Sequence, residues 1–176
     1  MLGVLLFSIY YWIMKIAIDC GHGCFPDTGE NTIYGDEDKL TTKLGQTLKA
    51  ALSNHEVIFT RPTKCDSTLD SLQKRVAKAN KNKADLFISL HFNVATGNAQ
   101  GSEIYTITSD NKTKTLAETI LKNFQQVGYK NRGVKDNPVF YVLQNTKMPA
   151  LLIQVCFLDN KEDMEKYDST VISNAI

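Results

Sequence analysis

Two of the three histidines in this chain end apolar runs of the kind that make buried strands. In residues 15–23 (KIAIDCGHG), Ile16, Ala17 and Ile18 give way to Asp19 and Cys20, and Gly21-His22-Gly23 turns the chain. In residues 85–91 (DLFISLH), a longer apolar run ends on His91. If both strands run parallel in an open α/β sheet, both imidazoles emerge at the carboxyl edge, where such sheets bind ligands. A histidine between two glycines can also be approached closely, because neither neighbour has a side chain. Two imidazoles on one edge suit metal ligation. His55 precedes a strand instead, which puts it at the opposite edge and facing solvent.

A catalytic zinc site takes three protein ligands from His, Asp, Glu or Cys and keeps one position for water. The helix that follows the His22 loop opens with Asp36, Glu37 and Asp38. Any of the three can serve, although helix-dipole compensation and N-capping alone would account for all of them. Cys20-x-His22-x-Cys24 is a competing set, but its members lie closer together than the paired ligands of closed zinc sites. Cys20 reads better as a small buried residue. A Cys156 nucleophile with His91 as base is a further arrangement, with no sequence argument for a lowered thiol pKa.

Gln154 is the one polar side chain in the run LLIQVCF (151–157). Burying an amide without partners costs about 1–3 kcal/mol. It therefore meets polar groups, either backbone or a site. Alternation puts Leu152, Gln154 and Cys156 on one face.

The elements that must position these residues alternate. Strands are predicted over 15–20, 56–61, 85–91, 102–108, 139–143 and 151–157. Helices are predicted over 37–53, 68–80, 111–127 and 161–167. Leu40, Leu44, Leu48 and Leu52 form one helical stripe; Leu69, Leu72, Val76 and Ala79 form a second; Leu116, Ile120, Phe124 and Val127 form a third. Residues 130–137 read as a basic, polar loop. Strand–helix alternation with apolar strands gives βαβ units and a parallel sheet covered on both faces.

At 176 residues the chain is one domain with room for a core. The net charge of +1, without a basic block, points away from nucleic acid as a partner. Four cysteines are too few for a disulfide scaffold at this length. The G-x-G here lacks the third glycine that a dinucleotide fingerprint needs. Residues 1–14 (MLGVLLFSIYYWIM) are apolar and uncharged, and shorter than the roughly 20 residues of a bilayer span. They read as an imperfect export signal or anchor, as an extra element packed on the domain, or as translated sequence before a start at Met14. The domain proper is then 15–176.

The motifs IAIDCGHG, GDEDKL, Thr60-Arg61, Arg75 with Ala79-Asn80, LFISLHFN, GSEIY, RGVK and MPALLIQVCFLDN occur in that order. Together they resemble the zinc-dependent N-acetylmuramoyl-L-alanine amidases of the type-3 family, over about residues 16–176. The resemblance implies a single α/β domain with a mixed, mostly parallel six-stranded sheet flanked by helices. It implies Zn2+ held by His22, Glu37 and His91, and so selects Glu37 from the acidic trio. It implies hydrolysis of the amide between the lactyl group of N-acetylmuramic acid and L-alanine in peptidoglycan. In that mechanism zinc activates water and polarises the carbonyl while a glutamate moves the proton. The family's glutamate falls at Gln154, which keeps its shape but cannot take a proton. The alternative is thus an impaired zinc-containing homologue that binds peptidoglycan. Glu103, Asp159 and Asp19 are spare carboxylates. Asn93, beside His91, and Arg132, with Lys135, are candidate substrate contacts; a solvated basic loop accounts for the cations equally well. The partner is peptidoglycan or a muropeptide, with the protein a monomer and at a membrane only if residues 1–14 anchor it. Action on the cell wall, periplasmic or extracellular, implies an export route or a lysis partner, whereas a start at Met14 leaves the chain cytoplasmic.

Overall fold

A computed structural model of the chain describes residues 12–107, 111–137 and 139–176. The apolar run after Lys15 forms β1 (Lys15–Cys20), buried from Ile16 onward. A loop with two short strands, β2 (Asn31–Thr32) and β3 (Gly35–Asp36), leads into α1 (Glu37–Ala51), which buries Leu44 and Leu48. β4 (Glu56–Phe59) follows, then α2 (Thr68–Lys81), whose Ser67 cap accepts the Asp70 N–H. Next come β5 (Leu86–Asn93), β6 (Ser102–Thr106), α3 (Asn111–Gln126) and β7 (Asn131–Asp136). The chain continues through α4 (Tyr141–Asn145), β8 (Ala150–Phe157), α5 (Lys161–Glu165) and α6 (Ser169–Ala175).

The main sheet has six strands in the order β4-β1-β5-β8-β6-β7. The first four are mutually parallel; β6 is antiparallel to β8, and β7 is parallel to β6. Successive side chains of a strand go to opposite faces, and two cores result. Ile16, Ile18, Ile88 and Leu90 pack with α1, α3 and α6. Ala17, Phe87 and Leu152 pack with α2 and α4. The sheet is thus the mixed, mostly parallel one expected, with β1, β5 and β8 delivering their carboxyl ends to one edge.

Three local expectations fail and one element is missed, each for an identifiable reason. The apolar run 139–143 is not a strand: Val142 and Leu143 lie on α4 and cover Leu152 and Ala79. A short apolar run does not distinguish strand from buried helix. The polar stretch 130–137 is no loop but holds β7, the edge strand beyond β6. An edge strand has one neighbour and an open side, so charged residues are tolerated there. The helical stripes are narrower than drawn, since Leu69 and Val127, at helix ends, stand exposed. Finally, α6 closes the α1–α3 face through buried Ile172, an element with too few apolar residues for its period to show.

His55 is half-buried rather than fully solvated, and its Nδ1 accepts the Met14 N–H at 3.2 Å. Among the described residues no helix is long and apolar enough to cross a membrane. The readings of residues 1–14 fall mostly on 1–11, outside the described residues.

Candidate metal centre and active site

The turn after β1 is held by two arginines. Arg61 donates to the carbonyls of Cys20 (2.9 Å) and Gly21 (2.8 Å). Arg75, from α2, donates to the carbonyls of Cys20 and His22, both at 2.6 Å. His22 needs this support because its φ is +62, a left-handed conformation that costs a residue with a Cβ about 1–3 kcal/mol. His91 projects from β5 and Glu37 opens α1. The structure brings all three together: one donor atom from each lies within 4.8 Å of the others. Glu37 Oε2 is 3.3 Å from His22 Nε2, and Oε1 is 3.2 Å from His91 Nδ1.

The Glu37 carboxylate is fixed from both sides, accepting the Glu30 N–H on Oε2 (3.1 Å) and the Phe92 N–H on Oε1 (3.0 Å). Burial opposes its charge, yet the hydrogen bonds from His22 and His91 hold it well below the usual carboxylate range. Burial likewise disfavours a charged His22, but Asp27 and Glu37 outweigh it and bring its pKa up to about 9. Such a compact set of anionic and imidazole donors has the character of a cation site.

Two glycines leave room for the cluster. A Cβ on Gly29 would sit 2.7 Å from the His22 ring and 3.0 Å from Glu37 Oε2. A Cβ on Gly21 would sit 2.3 Å from the His91 ring. Gly21→Ala therefore drives His91 off its position with little demand on the backbone. The expected outcome is a fall in divalent-metal affinity of tenfold or more in a chelator competition, with the far-UV circular dichroism unchanged. Unchanged affinity would mean that His91 does not hold the metal.

A row of side chains crosses the sheet beside this cluster. His91 is in register with Gln154, and Gln154 with Glu103. Directly paired residues point to the same face, so the amide lies between the imidazole and the carboxylate. Gln154 Oε1 is buried, with no hydrogen-bond partner among the described residues. Glu103 is heavily engaged: it accepts from Asn93 Nδ2 (3.0 Å), the Tyr105 hydroxyl (2.7 Å), Arg132 Nε (2.8 Å) and Lys135 Nζ (2.5 Å). Burial works against its charge, but Lys135, Arg132 and Tyr105 lower its pKa. Arg132 is anchored there and stacks 4.9 Å above the Phe157 ring. A cavity of about 360 Å³ opens over the cluster, lined by His22, Glu37, His91, Asn93 and Gln154 on its polar side. Leu72, Phe140, Tyr141 and Leu152 make its apolar wall.

The other candidates have different employments. Asp36 meets Asn31 and Lys39 and makes no side-chain cap on α1. Asp159 accepts the N–H groups of Ala95 and Gly97. Asp19 is buried against Arg75, Thr60 and Ser89. Cys20 and Cys24 are buried, and all four cysteines are free. Cys156 does not share a face with Gln154. A register irregularity opposite His91–Asn93 interrupts the alternation, and Cys156 joins the α1–α3 core near Met164. Its burial pushes the thiol well up, which removes it as a nucleophile.

Asp27 was not legible as a site residue. It lies in CFPDTG, a turn composition, and only the folded loop brings its carboxylate to 2.6 Å from His22 Nδ1.

The fold defines a class, that of solved amidase catalytic domains. The structure is similar to the catalytic domain of the CD27L endolysin targeting Clostridia Difficile, with a TM-score of 0.83 and 28% identity over 92% of this chain and 93% of that one. It is similar to the catalytic domain of CwlV, an N-acetylmuramoyl-L-alanine amidase from Bacillus (Paenibacillus) polymyxa var. colistinus, with a TM-score of 0.79 and 27% identity over 93% and 94%. The sequence is 35% identical over 171 residues to the N-acetylmuramoyl-L-alanine amidase CwlM of Bacillus licheniformis, covering 93% of this chain and 64% of that one. Residues 16–176 match the N-acetylmuramoyl-L-alanine amidase family, and the chain belongs to that family of hydrolases. It spans about half the length, or less, of the first curated relatives it matches: 47%, 32% and 46%.

Proposed function

We propose that this domain hydrolyses the amide bond between N-acetylmuramic acid and L-alanine in peptidoglycan, with zinc as its metal and turnover held down by Gln154. The observation that carries the reading is the convergence of His22, Glu37 and His91, from three separate elements, in one cavity. Two imidazoles and a carboxylate are a donor set for catalytic zinc, which keeps a fourth position for water or substrate. Zinc held there supplies a Lewis acid for the amide carbonyl and a lowered pKa for water.

The chain's own residues account for the rest. Glu37, tied to Glu30 and Phe92, fixes the site against the sheet edge. The apolar wall bounds one side of the cavity; on the other, Asn93 is held by Glu103 and the Val94 N–H and keeps one Nδ2 hydrogen for substrate. Arg132 and Lys135 neutralise Glu103, so their pull on stem-peptide carboxylates is partial. Gln154 faces the cavity where a carboxylate would collect the attacking water's proton and return it to the leaving amine. Its amide can orient a hydroxyl but has no basic site at neutral pH. That observation favours a second reading, a zinc-containing homologue that binds peptidoglycan without turning it over. Either activity belongs at the cell wall, which the chain reaches by an export route or with a lysis partner.

Metal analysis and a peptidoglycan assay test both readings. About one zinc per chain is expected, lost in His91→Ala. Slow release of stem peptides from purified peptidoglycan supports the amidase, and co-sedimentation with it in the absence of release supports the binding homologue. Activity in a metal-free protein would overturn both.

A further inference from the structure

The Asp27 carboxylate faces two ways. Oδ1 lies 2.6 Å from His22 Nδ1, while Oδ2 accepts the Ser71 hydroxyl at 2.7 Å and lies 3.5 Å from the Arg75 guanidinium. Asp27, Ser71 and Arg75 are all buried. We propose that Asp27 is a positioning residue that sets the tautomer of His22, so that Nε2 is the nitrogen left to ligate the metal. The inference rests on the zinc reading above and goes beyond it by assigning the ligating nitrogen and the group that selects it.

The argument is one of proton inventory. A carboxylate opposite a guanidinium is ionised and only accepts. The His22 nitrogen facing it must therefore carry a proton. Metal ligation requires a neutral imidazole, which has one N–H, so the lone pair is then at Nε2. The proton that Nε2 shares with Glu37 in the metal-free protein is the one released on metal binding. That atom is the one turned toward Glu37, 3.3 Å from Oε2. A hydrogen bond to the remote ring nitrogen also fixes the ring's orientation and raises its basicity as a ligand. Arg75 holds both the His22 carbonyl and the Asp27 carboxylate and so ties the two to one another.

Asp27→Asn tests this with an isosteric change. Ser71 keeps its bond to the amide oxygen, which turns the amide NH2 toward His22. Nδ1 must then accept, and the proton moves to Nε2. Zinc affinity, read by chelator competition, should fall roughly 10–100-fold. In wild-type protein loaded with cadmium-113, nitrogen NMR should show His22 coupled to the metal through Nε2 with Nδ1 protonated. Metal coupling through Nδ1, or an Asn variant that binds zinc as tightly as wild type, would overturn the proposal. If wild type takes up no metal, the zinc reading fails. The His22 tautomer in the metal-free protein at alkaline pH then decides separately: Nδ1–H supports direction by Asp27, and Nε2–H refutes it.

Discussion

Gln154→Glu should raise stem-peptide release by roughly 10²–10⁴-fold, the contribution typical of a positioned general acid–base. The site is ready to receive the carboxylate. Position 154 pairs with His91 on one side and Glu103 on the other, and its side chain already lines the cavity. The buried Oε1 makes no hydrogen bond, so the substitution removes no contact there. The environment would also tune the new group. Burial disfavours an ionised carboxylate and pushes its pKa up. The adjacent Glu103 would push it further, but Lys135 and Arg132 already balance that charge. A carboxyl titrating nearer neutrality than an exposed glutamate can take and return a proton at physiological pH. The measurement is the initial rate of stem-peptide release from purified peptidoglycan at equal zinc content. A rate unchanged within threefold would mean that the missing base does not limit the reaction, and that Gln154 orients rather than impairs.

Arg75→Met should destabilise the fold by about 3–5 kcal/mol, the usual penalty for removing one partner of a buried ion pair. For a domain of this size that corresponds to a melting temperature lower by roughly 6–20 °C. Arg75 is 1% exposed and serves Asp19, Asp27 and the carbonyls of Cys20 and His22 together. Methionine fills much of the volume, so the loss isolates charge and hydrogen bonding. Arg75→Met combined with Asp19→Leu should cost less than Arg75→Met alone, because the fully buried Asp19 carboxylate is then not left without its cation, while Asp27 keeps His22.

Acid has opposite effects on the two proteins. Burial raises the Asp19 pKa, but Arg75 and Thr60 outweigh it and keep the carboxyl below its ordinary value. The folded pKa is thus below the unfolded one. The associated stability is present above the ordinary pKa near 3.8 and drains as pH falls through the folded value. Without Arg75, burial raises the Asp19 pKa, and protonation relieves the penalty instead. The gap between wild type and Arg75→Met should narrow as pH drops below about 5 in urea titrations. A single-variant loss under about 1 kcal/mol, or a gap that widens in acid, would show that Arg75 is not the partner that makes the buried carboxylate tolerable.

The chain by itself determined the scaffold of the site. Apolar runs ending on His22 and His91 have only one way to sit in a parallel sheet, because strands of the same sense finish at the same edge. The period of Leu44 and Leu48 then places the trio Asp36, Glu37 and Asp38 at the start of the helix that returns over that edge, and the family resemblance selects Glu37 from it. Those are local patterns with global consequences, and they survived folding. Gln154 was legible for the same reason, as one amide in an apolar strand.

Only the tertiary structure decided how the scaffold is trimmed. The irregularity in β8 sends Cys156 away from Gln154, and strand alternation carries no sign of it. The edge strand β7 looks like a loop because its open side tolerates charge. Asp27 and Arg75 are 48 residues apart and meet beside His22 only after α2 packs on the sheet. Their partnership is a matter of distance in the folded chain. Hydrogen bonds of that kind fix the direction of a ring nitrogen, whereas sequence periodicity fixes no more than the face on which the ring emerges.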